Sequence, residues 1–354
     1  MARAPAPRRK SGGFSSFLFW GAVFVVLGAV FAGAFFYSAI SRPGPSTQDT
    51  AFMVESGATG ASIAADLQRD NLINDPLLFR VANRIFAAGA SLQAGEYQIP
   101  AGASVREIVE MMASGDALQH AITFPEGITI TAVLRTLEES DVLTGDMPEA
   151  PREGSILPDT YHVQRGMTRA ALLQQMRDAH DEALAEIWAS RQPNLPLATP
   201  EDLVILASIV ERETGIAAER PLVASVFINR LRRPMRLETD PTIIYGVCLR
   251  YPDRCVDGRL VNAQGQRRTI RQSEIALDTG YNTYRIDGLP PTPISNPGRA
   301  ALEATANPAQ SEAIFFVADG SGGHIFAATL AQHNANVARW RVIEAERLAA
   351  ERAN

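Results

Sequence analysis

Residues 11–41 carry no charged side chain, and the ten residues before them carry four positive charges and no acid. Residues 14–40 are apolar or small almost throughout. As a helix that stretch reaches about 40 Å, enough to cross a ~30 Å hydrocarbon core with some tilt. Trp20 and Tyr37 fall near its two ends, where amphipathic rings favour the membrane interfaces. The basic flank predicts a cytoplasmic N-terminus, which puts everything beyond Arg42 outside the inner membrane. A cleaved signal peptide is the alternative, since Ala32-Gly33-Ala34 is a small-x-small site. However, the apolar run continues for six residues past that site, longer than the ~7–15 residues of a signal core, which favours an uncleaved anchor.

The remaining chain is acidic. Setting the four N-terminal cations aside from the 33 in the chain leaves 29 basic residues against 39 acidic ones. A nucleic-acid partner would require a basic face, so that class is disfavoured. Lys10 is the only lysine. A P-loop, a Schiff base or a pyridoxal site therefore cannot be built downstream, because each needs a lysine amine. The five histidines show no metal-ligand spacing, and the expectation is no metal and no cofactor. Cys248 and Cys255 fall in the exported part, where oxidation is possible, and a disulfide closing a small hairpin is expected.

Residues 41–49 read as a short Pro/Ser linker leaving the membrane. Beyond it a pattern recurs: Gly60-Ala61-Ser62-Ile63, Gly102-Ala103-Ser104-Val105 and Gly127-Ile128-Thr129-Ile130. Each follows a short extended run (51–55, 96–99 and 121–124) and precedes apolar residues at helical spacing. The expectation is three strand–turn–helix units, with the Gly making the turn and the Ser or Thr capping the helix. The pattern is similar to LysM-type modules, which bind N-acetylglucosamine polymers. A capped helix after a strand is the simpler reading of it.

Residues 169–188 form an amphipathic pattern for a packing helix. Thr199, Pro200, Glu201 and Asp202 then make a helix start, with a cap, a first-turn proline and acids at the positive end of the dipole. Residues 203–210 are apolar or small on nearly every side, so this helix should be buried. Glu211 continues an apolar face from Val204, Ala207 and Ser208. A carboxyl held there is desolvated and its pKa rises toward the range useful to a general acid. A second helix is expected over 217–231. Glu213, about 200° round the helix from Glu211, is assigned a structural role. Without further context, a Glu beside Arg212 at a helix end is usually a solvated or salt-bridged surface residue. Gly320-Ser321-Gly322-Gly323 lies between two strand-like runs and reads as a hairpin turn, not a phosphate loop.

Several linked motifs sharpen this reading. They are LASIVERETG (206–215), ASVFINRL (224–231), LETDPTIIYG (237–246), YNTY (281–284), GLPPTPISNPG (288–298) and FFVADGSGGHIF (315–326). In order and spacing the chain resembles the endolytic murein transglycosylase family (MltG, YceG-like) over roughly residues 50–340. The resemblance implies an α+β fold with a single N-terminal transmembrane helix, a LysM-like subdomain and a mixed catalytic domain. The implied divisions are a basic cytoplasmic tail (1–13), the transmembrane helix (14–40), a linker (41–50), the LysM-like subdomain (51–120), the catalytic region (121–340) and a charged helical tail (341–354). It implies lytic cleavage of peptidoglycan between N-acetylmuramic acid and N-acetylglucosamine, with the muramic 6-hydroxyl forming a 1,6-anhydro end. Glu211 matches the family's catalytic acid. Partners implied are glycan strands, the inner membrane and the peptidoglycan synthases.

One carboxyl suffices for such a reaction, because the internal hydroxyl replaces the second group of an ordinary glycosidase. Asn229, Asp240, Tyr245, Tyr281, Asn282 and Tyr284 are candidate sugar-binding residues, although each tyrosine also suits a partly buried core position and Asp240 also suits a turn cap. Two rivals remain: a non-catalytic wall-binding or division scaffold, and a hydrolase using a second carboxylate such as Asp240.

Overall fold

The computed structural model describes residues 13–86 and 92–353. The basic tail with Lys10, apart from its last residue, lies outside them. The first element, α1 (Gly13–Ile40), contains an uncharged stretch, Phe17–Ile40, long and apolar enough to cross a membrane. The chain divides into two compact units, Met1–Gln119 and His120–Asn354. The fold is mixed α+β, and the strands among the described residues form four two-stranded sheets.

In the first unit α1 is followed by β1 (Thr50–Val54), α2 (Gly60–Arg69), α3 (Pro76–Phe86), β2 (Gly95–Ile99) and α4 (Val105–Ser114). β1 and β2 pair antiparallel, Thr50 opposite Ile99 and Val54 opposite Gly95. Phe52, Val54, Tyr97 and Ile99 alternate inward along them and pack on Ile63, Leu67, Phe79, Ile108 and Met112 from the helices. Ile40, at the end of α1, is fully buried in the same core. The Arg106 guanidinium donates to the Tyr37 hydroxyl at 2.7 Å and lies over its ring. Residues 41–49 are not a free linker. Gly44 N–H donates to Gly102 O, Gly102 N–H donates to Ser46 O, and Ala101 N–H donates to Asp49 Oδ1.

The turn pattern holds at Gly102–Ser104 and is corrected at the other two units: Gly60 is already the first residue of α2, and Thr129 stands at the cap position of α5 without a side-chain cap bond. Ser104 caps α4, but α2 is capped by Thr59, and Ser62 is the third residue inside that helix. Thr59 accepts from Ser62 N–H and Ser62 answers with its own hydroxyl, so a reciprocal capping box replaces the single cap. The amphipathic helix α3 stands between the first two units of the pattern and interrupts the expected repetition.

The second unit opens with β3 (Gln119–Thr123) and α5 (Ile130–Glu139), and β3 pairs with β4 (Thr160–Gln164). The elements α6 (Arg169–Ala189), α7 (Pro200–Glu213) and α8 (Arg220–Arg232) follow, then α9 (Asp240–Arg250). The hairpin of β5 (Cys255–Val256) and β6 (Arg259–Leu260) leads to α10 (Gln272–Ile275) and α11 (Arg299–Ala306). Last come the antiparallel pair β7 (Phe315–Ala318) and β8 (His324–Ala327), joined by the glycine turn, and α12 (Leu330–Ala353).

The helix α7 is the spine of this unit. Thr199 and Asp202 form a capping box at its start. Every residue from Leu203 to Val210 is buried, against α8, α11 and the 289–296 segment. Two sequence expectations are corrected. The Asp240-Pro241-Thr242 segment is the first turn of α9, with Thr239 as its cap and Pro241 where a missing N–H costs nothing. Cys248 and Cys255 are bonded, with Cα atoms 5.6 Å apart, but the bond ties the end of α9 to the start of β5 across a short helical turn. It precedes the hairpin and does not close it.

Candidate active site

Glu211 stands in the last turn of α7, and its side chain is 4% exposed. Three chain segments meet on it. Gly298 N–H, at the N-terminus of α11, donates to Oε2 at 3.0 Å. The Arg220 guanidinium, at the start of α8, donates to Oε1 at 3.1 Å. The same Arg220 nitrogen donates to Glu126 Oε2 at 2.8 Å, so two carboxylates share one cation. Burial pushes the Glu211 carboxyl above its ordinary range, the Gly298 amide and Arg220 pull it back, and the nearby Glu126 charge adds to the rise. The outcome is a carboxyl raised toward the protonated form yet supplied with donors for the ionised one.

Glycine is required beside it. Gly127 has φ +73°, and a side chain there would meet Glu211 Cγ and Arg212 Cδ at 3.3 Å. The turn is locked by Gly127 N–H donating to Asn296 O and Asn296 N–H donating to Ile128 O, both at 2.9 Å. Ser208 of α7 holds the same 289–298 segment, accepting from Ile294 N–H at 3.0 Å.

A second carboxyl lies behind the first. Glu153 accepts from Ile130 N–H at 3.0 Å and from Asn296 Nδ2 at 2.9 Å, and burial pushes its pKa up to about 7. The Tyr245 hydroxyl points at it from 3.5 Å, and the Tyr245 and Tyr281 rings meet edge-on at 5.0 Å. The Tyr281 hydroxyl contacts Thr292 Oγ1 at 2.8 Å.

Asp240 and Tyr284 belong to another cluster. The Tyr284 hydroxyl donates to Asp240 Oδ1 at 2.9 Å, and both line a cavity of about 210 Å³ with Glu213. Burial also pushes Glu213 to about 7, and the Thr239 hydroxyl donates to it.

The two asparagines are held by backbone carbonyls to different degrees. Asn229 Nδ2 donates to Ser311 O and Ala313 O. Asn282 is fully buried, with Nδ2 on Ile275 O and Leu277 O and Oδ1 on Tyr284 N–H. Asn282 has no polar atom left to face a sugar, which corrects the expectation for that residue, whereas Asn229 is half-buried and lines a cavity of about 350 Å³.

Sequence reasoning missed Glu126, Arg220 and Glu153. Glu126 had a signal: it occupies the place between Pro125 and Gly127 that Ala101 holds between Pro100 and Gly102 in the parallel turn. Arg220 had one too, since a cation in the first turn of a helix opposes the dipole and needs an anion to hold it. Glu153 sits in a Pro- and Gly-flanked connection and carries no such signal. Among the described residues no group of three or more His, Cys, Asp and Glu side chains is placed to hold a metal ion.

Residues 52–339 match the YceG-like family. The chain is 25% identical over 339 residues to a Bacillus subtilis protein named endolytic murein transglycosylase, covering 86% of this chain and 89% of that one. A protein of the same name from Streptococcus pneumoniae is 25% identical over 336 residues, with 80% of this chain aligned to 57% of that one. A crystal structure of a yceG-like protein from Listeria monocytogenes aligns at 25% identity with a TM-score of 0.46, covering 82% of this chain and 99% of that one.

Proposed function

Because this chain belongs to the YceG-like family, we propose that it is a membrane-anchored endolytic lytic transglycosylase acting on nascent peptidoglycan. The bond cut is the β-1,4 link from N-acetylmuramic acid to N-acetylglucosamine, and the product carries a 1,6-anhydro end. Glu211 is the general acid and base. The observation that carries the reading is its environment: a buried carboxyl with raised pKa, met by one backbone N–H and one guanidinium.

That pairing suits a group that must change charge twice. Protonated at rest, Glu211 gives its proton to the departing glycosidic oxygen. The carboxylate it becomes is received by donors already in place, Gly298 N–H and Arg220, so little reorganisation accompanies the charge. It then takes the proton of the muramic 6-hydroxyl as that oxygen closes on the anomeric carbon. Proton count returns to the start and no water is consumed. Glu126 keeps Arg220 from neutralising Glu211 alone, which sustains the raised pKa.

The rest of the reading follows from the anchor. The N-terminus lies in the cytoplasm, α1 crosses the inner membrane, and the catalytic unit works in the periplasm beside strands leaving the synthases. The subdomain at 51–120 is the part we assign as LysM-like and to glycan binding.

Mass spectrometry of digested purified sacculi tests this. Wild type should release 1,6-anhydro ends, and Glu211→Gln should lower their rate at least ~1,000-fold, the order expected when a general acid is removed along with its charge change. Reducing ends in place of anhydro ends would mean hydrolysis. Unchanged glycans would mean a scaffold.

A further inference from the structure

A cavity of about 390 Å³ opens directly beside the proposed acid. Arg212, the next residue after Glu211, forms part of its wall, and both side chains pack against Gly127. Arg259, Arg267, Ile244, Leu260 and Ile270 line the remainder. Its cations differ in how they are held. Arg268 at the edge is neutralised by Glu274, with contacts of 2.6 and 2.8 Å. Arg212 donates to two backbone oxygens, Gly127 O at 3.2 Å and Gly258 O at 3.4 Å. Arg259 and Arg267 are exposed, and neither has a carboxylate partner among the described residues. Asp240, the one acid in the wall, accepts from the Tyr284 hydroxyl.

The three guanidinium groups work against one another. Burial lowers the pKa of Arg212, and the charges of Arg259 and Arg267 lower it further, while Glu153 and Glu211 behind it oppose the drop. Cations gathered round an apolar-walled hollow are relieved by an anion, and guanidinium forks match a planar carboxylate in two-point contact.

We propose that this cavity binds a free carboxylate of the peptide stem on the muramic residue at the cleaved bond. The inference rests on the peptidoglycan reading above. The stem branches from the sugar whose anomeric carbon reacts, so its first residues lie within reach of a pocket that begins one residue after Glu211. Ile244, Leu260 and Ile270 accept the aliphatic part of a stem residue, and the arginines take its carboxylate. Strands stripped of stems then lose an anchoring contact next to the reacting centre.

Binding tests this without relying on turnover. The full-length protein in detergent is titrated with fluorescently labelled soluble glycan strands, either with intact stems or stripped by an amidase. Wild type should bind stem-bearing strands about tenfold more tightly, and Arg259→Gln with Arg267→Gln should bring that ratio close to one. Lysine at both positions should restore most of it, because charge survives. Equal affinity of wild type for the two strand types would overturn the proposal, as would an unchanged ratio in the double Gln variant. Stronger displacement of strands by inorganic pyrophosphate than by a synthetic stem tripeptide would assign the pocket to a phosphate oxyanion instead. An absence of anhydro products with the stem preference intact would remove the lytic reading and leave the pocket standing.

Discussion

The turns that lead into α4 and α5 share a sequence plan and serve different ends. Pro100-Ala101-Gly102-Ala103-Ser104 and Pro125-Glu126-Gly127-Ile128-Thr129 both place the glycine at positive φ, +69° and +73°. The first keeps its cap local, although Ala101 and Gly102 also bond the 44–49 segment. Ser104 N–H donates to Glu107 Oε2 at 2.7 Å, and Ser104 Oγ accepts from Glu107 N–H at 3.3 Å. A side chain at Gly102 would come no nearer than 3.9 Å to a neighbour. The second turn gives up its own cap. Thr129 Oγ1 is buried without a partner, and the first N–H of α5 is taken by Glu153 from 23 residues away. Its glycine is in contact with Glu211 and its extra acid holds Arg220. A turn becomes part of a site when its helix cap is handed to distant chain, because the start of the helix then depends on tertiary partners and can be set for chemistry.

The largest break in that comparison should come from matched glycine changes. Gly127→Ala combines an unfavourable φ with pressure on Glu211, and release of anhydro ends should fall about 100-fold, as expected for a displacement near 1 Å at a reacting group. Gly102→Ala meets only the φ cost and should leave the rate within about twofold. Assays of both proteins on the same sacculi decide it.

Capping should separate the turns next. Glu153→Ala leaves Ile130 N–H without its acceptor, takes one of two acceptors from the Asn296 amide, and should cost about 2–3 kcal/mol in urea unfolding. Ser104→Ala loses one local cap and should cost about 1 kcal/mol.

The pH dependence of stability should follow the same division. Glu153 and Glu213 bind protons in the folded protein up to about pH 7, against an ordinary value of 4.5. The folded state therefore holds more protons than the unfolded one across that interval, and stability falls as pH rises from about 4.5 through about 7. Glu107 titrates the other way, since its bonds to Ser104 lower its pKa, and its contribution is lost as pH falls through that lowered value. Glu153→Gln should flatten the upper slope, with chemical unfolding at several pH values as the measurement.

Reduction should act on stability and leave the rate alone. The Cys248–Cys255 bond spans seven positions, a short loop, and opening it should cost about 2 kcal/mol without moving Glu211. A loss of activity matching that of Gly127→Ala would show that the α9–β5 corner also shapes the site.

Much of this was readable before any coordinates. The run from Thr199 to Glu213 carries cap, proline, acids and apolar filling in one consistent local message, and the helix forms as read. The glycine turn between β7 and β8 is equally local. What failed was non-local. Asp240-Pro241 is compatible with both a turn and a helix start, and the burial of Ile243 and Val247 that selects the helix comes from packing. Asn282 in a Tyr-rich segment looks like a sugar ligand until the carbonyls of Ile275 and Leu277 claim it. Glu126, Arg220 and Glu153 are far apart in sequence, and no periodicity records that they converge.

The end of α1 has a mechanical consequence. Ile40 sits in the core of the first unit, Tyr37 is gripped by Arg106, and the segment after them is stitched to the Gly102 turn. Helix and unit are welded, with no swivel between them. With α1 embedded in a bilayer, the first unit rides at a set height and a set tilt and drifts in two dimensions with one side always presented.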